Sequence, residues 1–329
     1  MSGPTIYDVA AAAGVATSTV SRAFSQPGRV SAATRDRIVA VAAELGYRPN
    51  PHARALLSGK HHTVAMVVSD IANPHYFEMI RGAEMRARVS EYTLLLVNAE
   101  ESPRVEWEQI QRLSPAVDGF LLAASRLPDE NLRQVAAQRP VVLMSRELPD
   151  LTSVVLDHVE GCHQVVSHLA SLGHRDLVYL AGPRNSWMAS TRWAALQRAA
   201  EQIGVGARRI GPFTPKVTQG GAAADAAVNA RATAVVAHND LLAIGVMQRL
   251  AQRGLRVPED VSVVGFDNIF AADVCTPGLT TLGGAHTDLG RTAVELLLTA
   301  GSRAADDPPR VVLPTELVLR GSTGTVATA

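Results

Sequence analysis

Cysteine and aromatic residues are scarce in this chain of 329 residues, which contains 2 cysteines and 4% aromatic side chains. Cys162 and Cys275 are too few for a disulfide framework or a metal cluster. Because free cysteines persist in reducing compartments, we expect a cytoplasmic protein that needs no metal and no cofactor. With so few aromatics, the cores must be built mainly from Val, Leu, Ile and Ala.

Long apolar runs are missing as well. No uninterrupted apolar segment of about 18 residues exists, so we expect no transmembrane helix. The N-terminus carries Asp8 and lacks a basic stretch followed by an apolar one, so we expect no secretory signal. The sequence also lacks the phosphate-binding loop, the dinucleotide-binding glycine motif and the serine elbow of hydrolases. These absences disfavour an enzyme.

Charge is balanced overall but unevenly distributed. Residues 1–60 contain seven basic and three acidic side chains, a net charge of +4, so the remainder carries −4. A small basic segment on a larger acidic body is typical of a protein that binds nucleic acid through one end. Chance unevenness is the alternative, and charge alone does not decide between the two.

Residues 1–48 have apolar side chains at helical spacing in three short runs. Thr5 and Asp8 have the spacing of a capping box before the first run, and Ser31 suits the N-cap of the third. Gly14 lies between the first two runs, where a tight turn favours glycine. This pattern predicts an all-α helix-turn-helix headpiece.

Two prolines, Pro49 and Pro51, end the third helical run. We expect a short hinge helix and linker over residues 49–62. From residue 63 onward, β-rich apolar runs alternate with amphipathic helical stretches, which predicts an α/β domain with parallel sheets. The strands are too many for one ordinary sheet, so we expect two lobes over residues 63–329 with a ligand cleft between them. The strand candidates are Val64–Val68, Thr93–Val97, Gly119–Leu122, Val141–Met144, Val154–Leu156, Leu177–Leu180, Ala234–Ala237 and Val261–Val264.

Short motifs run in order along the whole chain. They include Tyr7-Asp8-Val9-Ala10, Thr19-Val20-Ser21-Arg22, Leu45-Gly46-Tyr47-Arg48-Pro49-Asn50, Leu172-Gly173-His174-Arg175, Asn239-Asp240 and Gly265-Phe266-Asp267. Together they resemble the lactose-repressor (LacI) family of bacterial transcriptional regulators. The resemblance implies a DNA-binding headpiece and a two-lobed, periplasmic-binding-protein-like sensor domain. It further implies a homodimer, or a dimer of dimers, on a pseudo-palindromic operator, under the control of a sugar-like effector.

Base-reading side chains are implied by the same resemblance. Thr17 and Ser18 match positions that choose bases, and Arg22 matches one that contacts guanine. Arginine can donate two parallel hydrogen bonds to guanine, which makes this role physically sound. Leu56 in the hinge matches an apolar wedge inserted into the minor groove. The alternatives are a helix cap for Thr17 and simple packing between paired hinge helices for Leu56.

Further headpiece residues match positions that contact DNA phosphates or belong to the hinge. Hydroxyls and helix N-termini fix the register on the duplex without reading sequence. Ser31 and Thr34 are equally well explained as helix caps. Ala16 and Ser25 depart from the family pattern, and each removes a phosphate contact. The matching positions are Thr5, Tyr7, Ser21, Ser31, Thr34, Tyr47, Asn50 and Ala53.

Candidate effector-binding residues follow predicted strands of the sensor domain. Asp157, Asn239 and Asp267 lie at the C-terminal ends of strands, where parallel α/β folds bind ligands. The resemblance implies that Arg192 contacts the hydroxyl or carboxylate groups of the effector. A structural ion pair is the alternative for Arg192 and Asp267, and a helix N-cap is the alternative for Asn239.

Departures at aromatic positions leave the effector open. His75 and Tyr76 match two positions at which the family commonly has aromatic residues that stack on ligand rings. Tyr76 follows this pattern, and His75 departs from it. Lys216 stands where an aromatic is frequent, and a cation there suits an anionic effector, although an exposed lysine is the simpler interpretation. A regulator without small-molecule sensing therefore remains an alternative. A solute-binding protein shares the body plan but requires a signal peptide.

Overall fold

The computed structural model describes residues 4–25, 27–47, 60–300 and 308–326. The chain divides into two compact units, each with its own internal contacts. One unit contains the residues up to His62 together with Ala116–Asp118, and the other contains Thr63–Pro115 and everything from Gly119 onward. Among the described residues, no helix is both long and apolar enough to cross a membrane.

The described part of the first unit contains three α-helices, which are those that the sequence predicted: α1 (Ile6–Ala13), α2 (Thr17–Ser25) and α3 (Ala32–Glu44). The Asp8 carboxylate accepts hydrogen bonds from the amide and the hydroxyl of Thr5, at 2.7 and 2.8 Å. Both bonds lower the pKa of Asp8, and the bond from the Thr5 backbone amide has the larger effect. Gly14 ends α1 with a φ of 63°, the left-handed conformation that makes the turn into α2.

The core of this first unit is small and consists of β-branched residues and alanines. Its fully buried members are Val9 and Ala13 from α1, Val20 from α2 and Ile38 from α3. Each lies at a position that the helical spacing predicted to face inward. Tyr47 packs against the same core, with its ring centre 6.1 Å from that of Phe24.

Twelve strands of the second unit form two six-stranded sheets, one in each lobe. The sheet of the first lobe has the order β11-β5-β4-β3-β1-β2 and is parallel throughout. The sheet of the second lobe has the order β12-β10-β9-β8-β6-β7, and only β12 is antiparallel to its neighbour. The strands are β1 (Thr63–Val68), β2 (Thr93–Asn98), β3 (Gly119–Ala123), β4 (Val141–Met144), β5 (Ser153–Leu156), β6 (Asp176–Leu180), β7 (Gly206–Ile210), β8 (Ala234–Ala237), β9 (Ser262–Phe266), β10 (Thr280–Gly284), β11 (Arg310–Leu313) and β12 (Thr315–Val318).

Helices cover the faces of both sheets, as expected for parallel strands joined by crossover connections. The last long helix packs beside the first helix of the first lobe, although it follows a strand of the second lobe. The chain therefore passes between the lobes more than once. The helices are α4 (His75–Val89), α5 (Pro103–Leu113), α6 (Asp129–Ala136), α7 (His158–Ser171), α8 (Trp187–Ile203), α9 (Gly220–Asn229), α10 (Asp240–Gln252), α11 (Phe270–Val274) and α12 (His286–Thr299).

Eight of the strands match the candidates from sequence within two residues at each end, and four were not predicted. β7 is an edge strand with exposed Arg208 and Arg209, so it lacks the continuous apolar run of a buried strand. β11 and β12 are short, only partly buried strands near the C-terminal end of the chain. β10 is buried, but it is rich in threonine and glycine and gave no apolar signal.

Candidate functional site

Loops and the first turns of helices from both lobes converge on one polar cavity. They follow strand C-termini, the position at which parallel α/β folds bind ligands. From the first lobe, the lining residues are Asn73, His75, Tyr76, Glu101, Ala124 and Arg126. From the second lobe, they include Ser186, Met188, Arg192, His238, Asn239 and Asp267.

The central contact of the cavity is a buried ion pair between Arg192 and Asp267. Nη2 of Arg192 donates to Oδ1 of Asp267 at 2.7 Å, and each side chain is only 4% exposed. Nη1 of Arg192 donates to the His238 carbonyl at 2.5 Å, and the guanidinium carbon lies 4.4 Å from the centre of the Phe266 ring. Nε of Arg192 has no hydrogen-bond partner among the described residues. A buried donor of this kind, beside a cavity, is available to a ligand.

Two histidines flank Asp267. Nδ1 of His75 lies 3.4 Å from Oδ1 of Asp267 without the alignment of a hydrogen bond, and Nε2 of His286 lies 3.2 Å from the Asp267 carbonyl. The two rings meet edge to face with their centres 4.7 Å apart. Burial lowers the pKa of His75 and lowers that of His286 to about 3, so both rings are neutral at pH 7.

Asp267 itself remains ionised in this buried setting. Burial by itself raises the pKa of Asp267, but the adjacent Arg192 guanidinium outweighs burial, and the pKa lies below its usual range. His238, on the other side of Arg192, has its pKa lowered well below normal by burial. Its Nδ1 lies 3.1 Å from the Tyr179 hydroxyl. The centre of the cavity therefore combines one carboxylate, one guanidinium and neutral imidazoles.

A second ion pair lines the wall of the first lobe. Nε of Arg126 donates to Oε2 of Glu101 at 2.7 Å, and the Ser69 hydroxyl donates to Oε1 of Glu101 at 3.1 Å. The hydroxyls of Ser69 and Tyr76 lie 2.6 Å apart, and burial raises the pKa of Tyr76 to about 12. Tyr76 is thus a neutral hydrogen-bonding group in this network rather than only a stacking surface.

Backbone conformations at the cavity are unusual for side-chain-bearing residues. Glu101, Ala124 and Asp267 have φ values of 56°, 51° and 103°. Each such residue costs roughly 1–3 kcal/mol and is maintained only by the surrounding structure. Left-handed conformations of this kind concentrate at ligand sites, which is consistent with a binding role for this cavity.

A second and larger cavity also borders Asp267. Its volume is about 240 Å³, compared with about 30 Å³ for the first. Pockets for drug-sized ligands measure roughly 300–1,000 Å³, so the space beside Asp267 suits a ligand smaller than drug size. The residues that line the second cavity include Glu78, Asn268, Gly284, His286, Thr287 and Asp288.

The predicted effector residues have different positions relative to these cavities. His75, Tyr76, Arg192, Asn239 and Asp267 line the first cavity. The Asn239 side chain also caps α10, accepting a hydrogen bond from the Leu242 amide at 3.0 Å, so it has the N-cap role that was the alternative, and its effector role stays a prediction.

Asp157 and Lys216 do not line either cavity. The Asp157 carboxylate caps α7, where it accepts from the amides of Val159 and Glu160 at 3.1 and 3.0 Å. Nζ of Lys216 lies 3.2 Å from Oδ2 of Asp70. Because Lys216 belongs to the second lobe and Asp70 to the first, this ion pair bridges the lobes.

Removal of the bridge by Lys216→Met is expected to change the free energy of unfolding by at most about 1 kcal/mol, since the lysine side chain is 52% exposed. Asp70→Asn is expected to have the same effect, and the double variant no more than either one. Urea unfolding of the four proteins at low and high salt measures the coupling. A coupling well above about 1 kcal/mol, or one that salt does not weaken, would contradict an ion pair at an exposed rim.

Sequence reasoning missed several residues of the cavities. Glu101 and Arg126 lie in loops after β2 and β3, so the strand-end rule that located Asp267 also applies to them. His238 directly precedes Asn239 and was within reach of the same rule. His286 follows β10, a strand that the sequence did not predict, so the strand-end rule could not locate it. It lies beside Asp267 because β10 and β9 are parallel neighbours in the same sheet.

The surface of the first unit presents several of the predicted DNA-contacting residues to solvent. α2 begins at Thr17, so Thr17 is the first helical residue and Ala16 takes the capping position, with its carbonyl accepting from Thr19 and Val20. Ser18 and Arg22 are exposed and lie one helical turn apart on α2. Thr5 and Tyr7 are exposed near the start of α1.

Ser31 and Thr34 have the capping role that was the alternative to DNA contact. The Ser31 hydroxyl accepts from the Thr34 amide at 3.4 Å and donates to the Thr34 hydroxyl at 2.8 Å. Ser21 and Tyr47 are both partly buried. The hinge residues Asn50, Ala53 and Leu56 lie outside the described residues, as does the side chain of Ser25.

Comparison with known families matches both parts of the chain. Residues 5–50 match the family described as bacterial regulatory proteins of the lacI family, and residues 166–323 match a periplasmic binding protein-like domain. The HTH-type transcriptional regulator DegA of Bacillus subtilis is 34% identical and covers 98% of this chain and 99% of its own length. The HTH-type transcriptional repressor CytR of Escherichia coli is 33% identical, and the match covers 97% of this chain and 96% of CytR.

Solved structures show the same likeness. A lac repressor dimer bound to operator and the anti-inducer ONPF superposes with a TM-score of 0.87 at 28% identity, covering 98% of this chain and 100% of the other. The complex of the transcriptional regulator CelR with cellobiose has a TM-score of 0.72 at 30% identity. The match covers 97% of this chain and 99% of the CelR chain. These relatives are regulators rather than enzymes. The chain therefore belongs to the LacI family of DNA-binding transcriptional regulators, with a helix-turn-helix domain and a two-lobed periplasmic-binding-protein-like domain.

Proposed function

We propose that this regulator binds a pseudo-palindromic operator as a homodimer, or as a dimer of dimers, and that a small sugar-like effector held between its lobes changes its operator affinity. The observation that carries the proposal is the polar cavity around the buried Arg192–Asp267 pair in a chain that also has a helix-turn-helix domain. Buried polar groups without partners are costly, and a ligand with hydroxyls relieves that cost.

Operator recognition is assigned to α2 and to the hinge. Arg22 reads guanine in the major groove, Thr17 and Ser18 complete the base contacts, and Leu56 enters the minor groove. The remaining predicted headpiece residues position the protein on the phosphates. Because Ala16 and Ser25 offer no phosphate contact in the family pattern, we expect a modest intrinsic affinity.

Effector control follows from the two lobes. A ligand that contacts Arg192 and Asp267 from the second lobe and His75 from the first has a different affinity for different lobe arrangements. The effector can change operator affinity only through this difference in its own affinity for the lobe arrangements. The coupling between the two sites must be reciprocal, so operator DNA must change effector affinity by the same factor.

The experiment that tests the proposal is selection of tight binders from a random DNA pool by the purified protein at a stated salt concentration. We expect enrichment of a two-fold symmetric sequence. Candidate sugars are then added to the selected complex, and a change in its dissociation constant identifies an effector. Absence of any enriched sequence, with or without sugars, would contradict operator binding.

Dimer formation is proposed to use exposed apolar side chains of both lobes. On α4, Phe77, Met85 and Val89 are 50%, 46% and 79% exposed, and on α11 Phe270 and Val274 are 67% and 72% exposed. Phe270 and Val274 are one helical turn apart and lie on the same face. Exposed apolar clusters of this kind mark protein interfaces, and the related lac repressor forms a dimer on its operator.

The variant with Phe270→Glu and Val274→Glu is expected to be monomeric and to lose operator affinity, because a symmetric interface places two copies of each new charge near one another. Analytical ultracentrifugation and operator titration measure the two effects. Val159→Glu, at an exposed valine on α7, is the control and should keep the mass of the parent. A double variant that still sediments as a dimer would place the interface elsewhere.

A further inference from the structure

The charged groups that line the first cavity are balanced within each lobe. Arg126 is paired with Glu101 at 2.7 Å in the first lobe, and Arg192 is paired with Asp267 at 2.7 Å in the second. Arg126 and Arg192 are the cations among the described lining residues, and each thus has a carboxylate partner. The cavity wall as a whole carries no net charge.

Nearby histidines and the lysine add no free positive charge. Burial lowers the pKa values of His75, His238 and His286, which keeps these imidazoles neutral. Lys216, the one residue whose position suggested an anionic effector, is paired with Asp70 at 3.2 Å and lies outside the lining. An anionic ligand would therefore meet only cations that already have a carboxylate beside them, which weakens the electrostatic attraction that each guanidinium can offer.

The second cavity further disfavours an anion. Its lining includes the carboxylates of Glu78 and Asp288, which are each 53% exposed. Each of these carboxylates is itself paired with an arginine, Arg81 at 3.5 Å and Arg291 at 3.0 Å, and the described lining of this cavity contains no lysine or arginine, so it offers an anion no cationic partner.

Unpartnered polar atoms near Asp267 favour hydroxyl groups in the ligand. Nε of Arg192, Nδ1 of His75 and Nδ1 of His286 are buried and have no hydrogen-bond partner among the described residues. A hydroxyl both donates and accepts, so it satisfies the arginine donor and either tautomer of a neutral imidazole. The residues with aromatic rings in the described lining, Tyr76, His75 and His238, are only 3%, 8% and 5% exposed, so the wall offers little stacking surface for a flat base.

We infer that Glu101 and Asp267 set the charge specificity of this site: by neutralising Arg126 and Arg192 they restrict it to an uncharged, hydroxyl-rich effector of about one sugar ring. The inference rests on the proposed function, because it concerns the same cavity. Glu101 is the residue that can be tested, since its side chain is 21% exposed and its removal leaves the central Arg192–Asp267 pair intact.

Isothermal titration calorimetry with matched pairs of probes tests the inference. Ribose is compared with ribose 5-phosphate, and glucose is compared with both glucose 6-phosphate and glucuronate. The same comparison is then made for the other common pentoses and hexoses. We expect at least one neutral sugar to bind, and its phosphorylated or acidic partner to bind at least about tenfold more weakly.

Glu101→Gln should reverse this order. The substitution frees the Arg126 guanidinium, so the phosphorylated member is expected to gain about tenfold or more relative to the neutral one. Asp176→Asn, which removes the carboxylate of the exposed Asp176–Arg208 pair outside the cavities, should leave the order unchanged.

Two results would overturn the inference. In the first, an anionic member binds the parent protein as tightly as its neutral partner; if that anion also changes operator affinity, the proposed function stands and only the charge specificity is wrong. In the second, no neutral pentose or hexose binds at all. Operator selection from random DNA is measured separately, so DNA recognition is judged independently of both results.

Discussion

Replacement of Arg192 by leucine is expected to abolish the effector response and to lower the free energy of unfolding by about 3–5 kcal/mol. The loss is large because Asp267, 4% exposed, would keep its charge without its nearest cationic partner. Urea unfolding followed by fluorescence measures the stability. Operator titration with and without the identified sugar measures the response.

A second substitution separates stability from binding. In the double variant Arg192→Leu with Asp267→Asn, no uncompensated charge remains, so we expect most of the lost stability to return. Effector binding should not return, because both ligand-facing groups are gone. Arg133→Leu is the matched control, since Arg133 pairs with Asp150 at the exposed surface and its removal should have little effect on unfolding. If the double variant is no more stable than Arg192→Leu alone, uncompensated burial of Asp267 is not the cause.

The effect of Arg192→Leu should depend on pH in one direction. In the parent, the pKa of Asp267 lies below its unfolded value, so the pair stabilises the fold above about pH 4 and this contribution is lost as the pH falls. In the variant, burial acts on Asp267 without the guanidinium and raises its pKa. The stability difference between the two proteins should therefore be largest at neutral pH and should shrink on acidification. A difference that grows as the pH falls would contradict this account.

Replacement of Arg22 by leucine is expected to weaken binding to the selected operator by about 1–3 kcal/mol and to relax the preference at one base pair of each half-site. The exposed position of Arg22 on α2, one turn after Ser18, is the basis for this expectation. Repeating the random-pool selection with the variant measures the loss of preference. Titration against the parent operator measures the loss of affinity.

Arg35→Leu is the control for charge. Arg35 lies in the same unit and pairs with Asp36 at 3.1 Å, so its removal also deletes one positive charge. We expect it to reduce non-specific affinity and the salt dependence without changing the selected sequence. Arg22 would not be a base-reading residue if the two variants selected the same sequence as the parent.

Much of the architecture and part of the site were predictable from local signals. Helical spacing and caps located α1, α2 and α3, because short helices depend on nearby residues. Apolar runs located the buried strands but missed the exposed edge strand β7. The strand-end rule and the resemblance nominated Arg192, Asn239 and Asp267; the structure has all three in the lining of the first cavity, and their role in binding stays a prediction.

The sequence by itself thus determined the family, the order of the two domains and the residue types available to the site. Only the tertiary structure decided their partners. Glu101 neutralises Arg126, His286 approaches Asp267, and Lys216 bridges to Asp70 rather than offering a free cation. The physical reason is that periodicity and capping act over a few residues, whereas these contacts join segments far apart in the chain. Such segments meet only because the sheets of two lobes order their strands non-consecutively and turn their C-terminal ends toward a common cavity.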